Sequence, residues 1–169
     1  IGLGNLGGQV ANYGNAFGMD VIAWSQNLTK EKAERRNTKY VSLETLMAES
    51  DFISIHTVLS SRTKDLIDAS KLKLMKKTSF LINTSRGPIV NELALVNALA
   101  EGEIAGAALD VFSLEPLPSD HPLITLENTI ITPHIGYVTN ETYKIFYEQT
   151  VECIIGFIQG NPIRVIGPI

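Results

Sequence analysis

Three residues suited to acid–base chemistry beside a carboxylate follow apolar runs of this 169-residue chain. Arg86 lies in N-T-S-R-G, Glu115 in L-D-V-F-S-L-E-P and His134 in T-P-H-I-G. Arginine binds a carboxylate through two parallel hydrogen bonds, and an imidazole both donates and accepts a proton near neutral pH. A carboxylate bonded to one ring nitrogen fixes the tautomer and stabilises the protonated ring. Together the three residues can hold a carboxylate and move a proton next to it.

The opening segment, G-L-G-N-L-G, matches the glycine pattern G-x-G-x-x-G. Gly2 permits a tight turn, Gly4 lets the backbone approach a pyrophosphate, and Gly7 lets helix and strand pack closely. The N–H groups of Asn5 and Leu6, at the predicted helix start, would face the phosphate charge. Methyltransferases and structural turns share the pattern, but a strand–turn–helix setting favours a dinucleotide. With a nicotinamide as hydride source, the three polar residues are what reduction of a 2-keto acid requires.

The elements that must position these residues alternate between apolar strands and helices, and the apolar runs are continuous. This pattern predicts an α/β fold, a doubly wound parallel sheet of the Rossmann type covered on both faces. The ends of parallel strands are where such a sheet binds ligands. The proline-rich stretch 113–128, which carries Glu115, is predicted to be an irregular loop. The predicted strands cover 21–24, 51–57, 79–83, 104–111 and 129–132, with a short element near 40–41, and the predicted helices cover 5–18, 29–36, 43–48, 71–75, 91–101 and 139–158.

The residue that follows the predicted strand 21–24 bears on the choice between NAD and NADP. An acidic residue there would bind the adenosine ribose and repel a 2′-phosphate. This chain has Ser25, followed by a glutamine and an asparagine. Three cations, Lys30, Arg35 and Arg36, would reach a 2′-phosphate if the next loop folds back. The expected cofactor is NAD or NADP, and the balance leans toward NADP.

Composition narrows the classes of partner. The chain has 14 Lys and Arg against 18 Asp and Glu, a net charge of −4, so no basic stripe is available for a nucleic acid. A single cysteine, Cys153, rules out an internal disulfide and suits a reducing compartment. No apolar run approaches the roughly 20 residues that span a bilayer. We therefore expect a cytoplasmic protein with neither a nucleic-acid nor a membrane partner.

The four motifs, in this order and spacing from Gly2 to about Pro162, resemble the D-isomer-specific 2-hydroxyacid dehydrogenases. That family includes phosphoglycerate dehydrogenase, D-lactate dehydrogenase and the glyoxylate and hydroxypyruvate reductases. The resemblance implies that Arg86 binds the substrate carboxylate and keto oxygen, that His134 is the acid/base, and that Glu115 pairs with His134. The substrate would be a small 2-keto or 2-hydroxy acid.

The resemblance also implies cofactor contacts, and it calls for no metal ion. Asp110 would lie near the nicotinamide carboxamide, and Gly136 close to the nicotinamide ring. The remaining implied contacts are Thr84 and Ser85 beside Arg86, and His56, Thr57 and Thr63 in the loop under the adenine and ribose.

The start of the sequence and the family resemblance together predict the domain organisation. Only Ile1 precedes Gly2, whereas a nucleotide-binding turn normally follows a strand of about five residues, so we expect an N-terminally truncated domain. Residues 1–162 would form the dinucleotide-binding domain, and 163–169 would begin the return to a substrate domain. Without that domain the chain would turn over poorly, since closure completes the site and excludes water. Family members pair through this domain, so a homodimer is expected.

Two other readings stay open. The resemblance also covers corepressors that keep the three polar residues and act as dinucleotide-sensing scaffolds; turnover by the complete protein would separate the two. A methyltransferase would use the same glycine turn without needing Arg86, Glu115 and His134, and binding of NADPH but not of S-adenosylmethionine would exclude it.

Overall fold

The computed structural model of the protein describes residues 1–167. It divides into two compact units, the first covering Ile1–His134 and the second beginning at Ile135. The predicted boundary at 162/163 therefore stays a prediction, and Pro168 and Ile169 of the predicted return segment lie outside the described residues. The elements of the first unit are α1 (Asn5–Ala16), β1 (Ile22–Ala23), α2 (Lys30–Glu34), β2 (Lys39–Tyr40), α3 (Leu43–Glu49), β3 (Phe52–Ile55), α4 (Ala69–Leu72), β4 (Phe80–Asn83), a 3₁₀ turn (Gly87–Ile89), α5 (Glu92–Ala100), β5 (Gly106–Leu109), α6 (Pro122–Thr125) and β6 (Thr129–Ile131).

The strands of the first unit are parallel, which confirms the predicted sheet type. β3, β4, β5 and β6 lie side by side in that order, and β1 pairs with β2. Ile1 and Gly2 join the two sheets. The Ile1 amino group donates to Ser54 O (2.8 Å) and the Gly2 N–H donates to Trp24 O (2.8 Å). The chain order reverses at this join, the position at which a doubly wound sheet opens a crevice for ligands.

Helix caps account for where several helices begin. The hydroxyl of Ser42 accepts a hydrogen bond from the N–H of Thr45 (3.1 Å), which confirms the predicted cap of α3. The carboxylate of Asp68 accepts a hydrogen bond from the N–H of Lys71 (3.0 Å) and caps α4, which begins at Ala69. The predicted start at residue 71 is therefore two residues too late. The stretch 113–128 was predicted to be irregular, but it contains the short helix α6, which the side chain of His121 caps.

Helix α1 packs against the rest of the first unit through small residues. The apolar spacing of Leu6, Val10 and Phe17 predicts the helix correctly, yet these side chains are exposed. The buried positions are Gly7, Gly8 and Ala11. A Cβ at Gly7 would come within 2.0 Å of Gly2 O, so only glycine permits this close contact between helix and turn.

The core of the first unit includes alternate side chains of the β3–β6 sheet, whereas Phe52, Phe80 and Ile130 on these strands are exposed. Burying each large apolar side chain contributes roughly 1.5–3 kcal/mol, so this core holds the strand ends in place. Its fully buried members include Ile53, Ile55 and Leu81 from the strands and Met47, Leu72 and Leu123 from the helices.

The second unit consists mainly of helix α7 (Asn140–Ile158), close to its predicted bounds. The hydroxyl of Thr139 accepts from the N–H of Thr142 (3.1 Å) at its start. Most of its large apolar side chains, among them Phe146 and Ile154, are exposed, and Gly156 is its buried residue. None of the helices found within residues 1–167 combines the length and the apolar character needed to cross a bilayer.

Candidate active site

The glycine turn has an open backbone facing outward from the start of α1. Gly2 has a φ of 89°, and a Cβ on it would lie 2.8 Å from the carbonyl atoms of His56. By contrast, nothing lies within 4 Å of the position a Cβ would take on Gly4. Gly4 caps α1 without a side-chain hydrogen bond, and the N–H groups of Asn5, Leu6 and Gly7 have no acceptor among the described residues. Unpaired amides with room beside them fit a pyrophosphate.

The ends of β3 and β4 are tied together beside this turn. The hydroxyl of Ser85 donates to Thr57 O (2.5 Å). Asn83, which is 1% exposed, donates from its amide to Arg86 O (3.1 Å) and accepts from the N–H of Ser85 (3.1 Å). These two bonds give the backbone of residues 83–86 its bend. Because Asn83 is buried and doubly bonded, Thr84, Ser85 and Arg86 leave the strand in one fixed direction.

Arg86 lies where this bend meets the loop that carries Glu115. Its side chain is exposed, and Nη1 donates to Ser85 O (2.6 Å). The following residue, Gly87, packs against the main chain of Phe112, since a Cβ there would lie 2.0 Å from the Phe112 carbonyl carbon. This close approach of two backbones sets the Arg86 turn next to the start of the Glu115 loop.

The side chains of Glu115 and His134 lie within hydrogen-bond distance of each other, in the pairing that the family resemblance implies. Nδ1 of His134 lies 2.6 Å from Oε2 of Glu115, and the N–H of Phe112 donates to Oε1 at 2.9 Å. The side chains are 34% and 33% exposed, so solvent reaches both. His134 has a φ of 55°, a left-handed backbone conformation that is uncommon outside glycine and is found at functional sites.

The electrostatics of the site favour an ionised Glu115. Partial burial alone raises the pKa of this carboxyl, but hydrogen bonds from His134 and from the Phe112 N–H outweigh that effect. The charges of His134 and Arg86 act in the same direction, and the net pKa lies below its ordinary value. A carboxylate that is ionised at neutral pH can stabilise a protonated imidazole.

Asp110 lies at the end of β5, between its two neighbouring strands. It is 6% exposed, its N–H donates to Asn83 O (3.0 Å), and its Oδ1 accepts from the hydroxyl of Thr132 (2.5 Å). The structure thus brings Arg86, Asp110, Glu115 and His134 to one edge of the sheet.

The main chain of Arg62, a residue that sequence spacing did not indicate, lies near the predicted adenosine end of the site. Ser25 is half-buried at the end of β1, and the side-chain amide of Gln26 donates to Arg62 O (3.1 Å). Arg62 is therefore adjacent to the segment that would meet the ribose. Of the cations predicted from the sequence, Arg36 packs on α1, because a Cβ on Gly8 would lie 1.8 Å from its Nη1.

Some residues predicted to contact the cofactor in the adenine loop bond to other residues of the protein. The hydroxyl of Thr63 donates to Val58 O (2.7 Å) and accepts from the N–H of Ser60 (2.8 Å), so it shapes the 58–63 turn. His56 supports the glycine turn, and burial lowers the pKa of its imidazole. Their contacts with a cofactor stay predictions, as does that of Thr57. Gly136 belongs to the second unit, and its position beside a nicotinamide also stays a prediction.

Known proteins resemble this chain in sequence and in fold. The family model of the D-isomer specific 2-hydroxyacid dehydrogenase, NAD binding domain, matches residues 1–136. Glyoxylate reductase of Aeropyrum pernix is 46% identical over 161 residues, which are 95% of this chain and 48% of that protein. The chain thus spans about half the length of the curated relatives it matches.

Two solved structures share the fold and differ in the cofactor they contain. D-lactate dehydrogenase of Aquifex aeolicus, complexed with NAD and lactic acid, superposes with a TM-score of 0.84 at 34% identity, over 100% of this chain and 56% of that one. An acyclic imino acid reductase in complex with NADPH and D-arginine gives a TM-score of 0.77 at 32% identity, over 99% and 52%. The chain belongs to the D-isomer-specific 2-hydroxyacid dehydrogenase family and comprises the NAD(P)-binding domain of that family.

Proposed function

We propose that the complete protein transfers a hydride between a nicotinamide cofactor and a small 2-keto or 2-hydroxy acid of the D series. The observation that carries this proposal is the Glu115–His134 pair at 2.6 Å, within the electrostatic reach of Arg86. An acid/base group, its orienting carboxylate and a carboxylate-binding cation stand at one sheet edge, beside a turn open to a pyrophosphate. That set supplies what reduction of a 2-keto acid needs from the protein.

In this proposal each side chain has one task. The glycine turn would hold the cofactor, whose nicotinamide would supply the hydride for the keto carbon. Arg86 binds the substrate carboxylate through its planar fork and orients the keto group. The protonated imidazole of His134 gives the proton at Nε2 to the keto oxygen, because Nδ1 is engaged by Glu115. In the oxidative direction the neutral ring takes the proton back from the hydroxyl, and Glu115 holds the ring in the tautomer that makes this transfer possible.

We further propose a preference for NADP. Ser25 supplies no carboxylate that would repel a 2′-phosphate. The side-chain amide of Gln26 donates to the main-chain oxygen of Arg62, which brings a cationic residue next to this segment. Arg36 lies against α1, one helical turn beyond Gly4. Both guanidinium groups can approach a phosphate by rotation about flexible side-chain bonds.

The proposal includes a homodimer and a cytoplasmic location. The exposed apolar residues of α7 support a partner surface, because large patches of this kind mark contacts between proteins. Size-exclusion chromatography with light scattering on the complete protein tests the dimer: a monomeric mass at micromolar concentration would contradict it. The cytoplasmic location is proposed because the single cysteine, Cys153, suits a reducing compartment.

The test of the activity is turnover by the complete protein. Glyoxylate, hydroxypyruvate, pyruvate and 3-phosphohydroxypyruvate are each incubated with NADPH and with NADH, and loss of the reduced cofactor is followed. We expect reduction of at least one acid and, where the product is chiral, formation of the D isomer. Cofactor binding without any turnover would favour the scaffold reading, and formation of an L product would contradict the proposal.

A further inference from the structure

A second carboxylate and a second imidazole meet just outside the Glu115–His134 pair. Glu92 opens helix α5, and its Oε1 lies 3.4 Å from Nε2 of His121. Both side chains are largely buried, with 24% and 18% exposed. Neither residue has a task in the proposed reaction, and a mostly buried ionisable pair has a desolvation cost that a specific role would explain.

Glu92 bonds to the main chain of the loop that carries Glu115. Its Oε2 accepts a hydrogen bond from the N–H of Ser113 at 3.0 Å. The preceding amide, that of Phe112, donates to Glu115 itself at 2.9 Å. Two consecutive amides are therefore held by two carboxylates, one in the site and one on α5. The position of Ser113 sets the position of Phe112, and thus of the Glu115 oxygen bonded to it.

His121 completes the anchor at the far side of the loop. Its Nδ1 accepts from the N–H of Leu123 at 3.3 Å, so the proton of the neutral ring lies on Nε2, the nitrogen that faces Glu92. The Glu92 carboxylate thereby contacts both ends of the segment 113–121, through the hydrogen bond from the Ser113 N–H and through its 3.4 Å approach to His121 Nε2. Leu123 is fully buried, which ties this end of the loop to the core.

We propose that Glu92, oriented by His121, is a positioning residue that holds Glu115 in register with His134. This inference rests on the proposed function for its kinetic consequences, whereas its structural content does not depend on any substrate. In this role Glu92 acts on Glu115 through the backbone of residues 112 and 113, by way of its hydrogen bond to the Ser113 N–H.

The experiment compares Glu92→Ala, Glu92→Gln and a control, Glu44→Ala, in the complete protein. Glu44 also lies in the first turn of a helix and makes an ion pair with Lys71 (3.8 Å), but not with the loop. The E92A variant loses the hydrogen bond to Ser113 and the contact with His121, whereas E92Q keeps one oxygen for the Ser113 N–H and loses the charged oxygen that faces His121. The readouts are kcat, the cofactor Kd, the pH profile of reduction, and the NMR signal of the His134 Nδ1 proton in histidine-labelled protein.

For E92A we expect kcat to fall about 10- to 100-fold, because small misplacements of catalytic groups cost rates of this size. The cofactor Kd should stay within about twofold of wild type, and E92Q should lose less activity than E92A. The pH profile of E92A should move to lower pH and the Nδ1 proton signal should shift, since a displaced Glu115 stabilises the protonated ring less. E44A should match wild type in all four readouts.

A folded E92A protein with wild-type kcat, pH profile and Nδ1 signal would overturn the inference, as would equal effects of E92A and E44A. If the wild-type protein reduces no 2-keto acid, the proposed function fails and the NMR signal alone decides: a shift in E92A supports the inference, and an unchanged signal overturns it.

Discussion

Replacing Glu115 with glutamine removes one hydrogen-bond acceptor that the site needs. Both carboxylate oxygens accept, one from the Phe112 N–H at 2.9 Å and one from His134 Nδ1 at 2.6 Å. Glutamine has a single acceptor oxygen. Phe112 is 5% exposed, so its N–H has little access to water. We therefore expect the one oxygen of the glutamine to keep accepting from the Phe112 N–H. The glutamine NH₂ would then face His134, and the neutral ring would carry its proton on Nε2.

The size of the effect follows from the lost bond. A hydrogen bond to a charged group contributes about 1.5–3 kcal/mol, and exposure of a third of each side chain places this one near 2 kcal/mol. At 1.36 kcal/mol per tenfold change, kcat for reduction should fall roughly 30-fold in E115Q. The pH profile of reduction should move to lower pH, because the protonated ring loses the carboxylate that stabilises it. Oxidation should fall further, because a neutral ring protonated on Nε2 cannot accept a proton there.

The assay is steady-state turnover of the complete protein in both directions across pH. Glu127→Gln, which makes the same change of charge in the same loop, is the control and should behave as wild type. Activity of E115Q within about threefold of wild type in both directions, with the pH profile in place, would refute the assignment of Glu115.

Two further predictions concern the glycine at the Arg86 turn and the cofactor. Gly87→Ala places a Cβ 2.0 Å from the Phe112 main chain, so we expect the free energy of unfolding, measured by denaturant titration, to fall by about 3 kcal/mol. In the control, Gly167→Ala, nothing lies within 4 Å of the new Cβ, and we expect no change in stability. Equal stability of the two variants would contradict the close contact at Gly87. Ser25→Asp should lower the affinity for NADPH relative to NADH by about tenfold or more, as measured by fluorescence titration, and an unchanged ratio would show that residue 25 does not face the ribose.

Local patterns predicted the elements well, because caps and apolar runs act within a few residues. Ser42 begins α3 through a bond to Thr45 in the next turn. The apolar runs of β3 and β4 do form strands, but Phe52 and Phe80 in them are exposed, so a continuous apolar run did not predict which positions are buried. The error at α4 has the same local origin, since the cap is Asp68, three residues ahead of the predicted start. At α1, spacing predicted a helix but not its buried face, which the small size of Gly7 and Gly8 determines.

The candidate site was predictable only where a motif marks the residue. Arg86, Glu115 and His134 each stand in a distinctive segment, and the structure brings them to one edge of the sheet. Glu92 looks like any acidic residue at a helix start, and its bond to Ser113 joins positions far apart along the chain. Arg62 comes next to Gln26 in the same way. Such contacts depend on how loops fold over strand ends, which periodicity does not encode.

The most direct test of the account is the turnover of the complete protein with His134 replaced. Asparagine is the preferred substitute, because it tolerates the left-handed backbone of residue 134, and alanine provides a second variant. We predict that reduction of the best 2-keto acid falls at least about 100-fold in both variants, while the Kd for the reduced cofactor stays within about twofold of wild type. Turnover near the wild-type rate in folded His134→Asn would contradict the assignment of His134 as the proton donor, and with it the proposed mechanism.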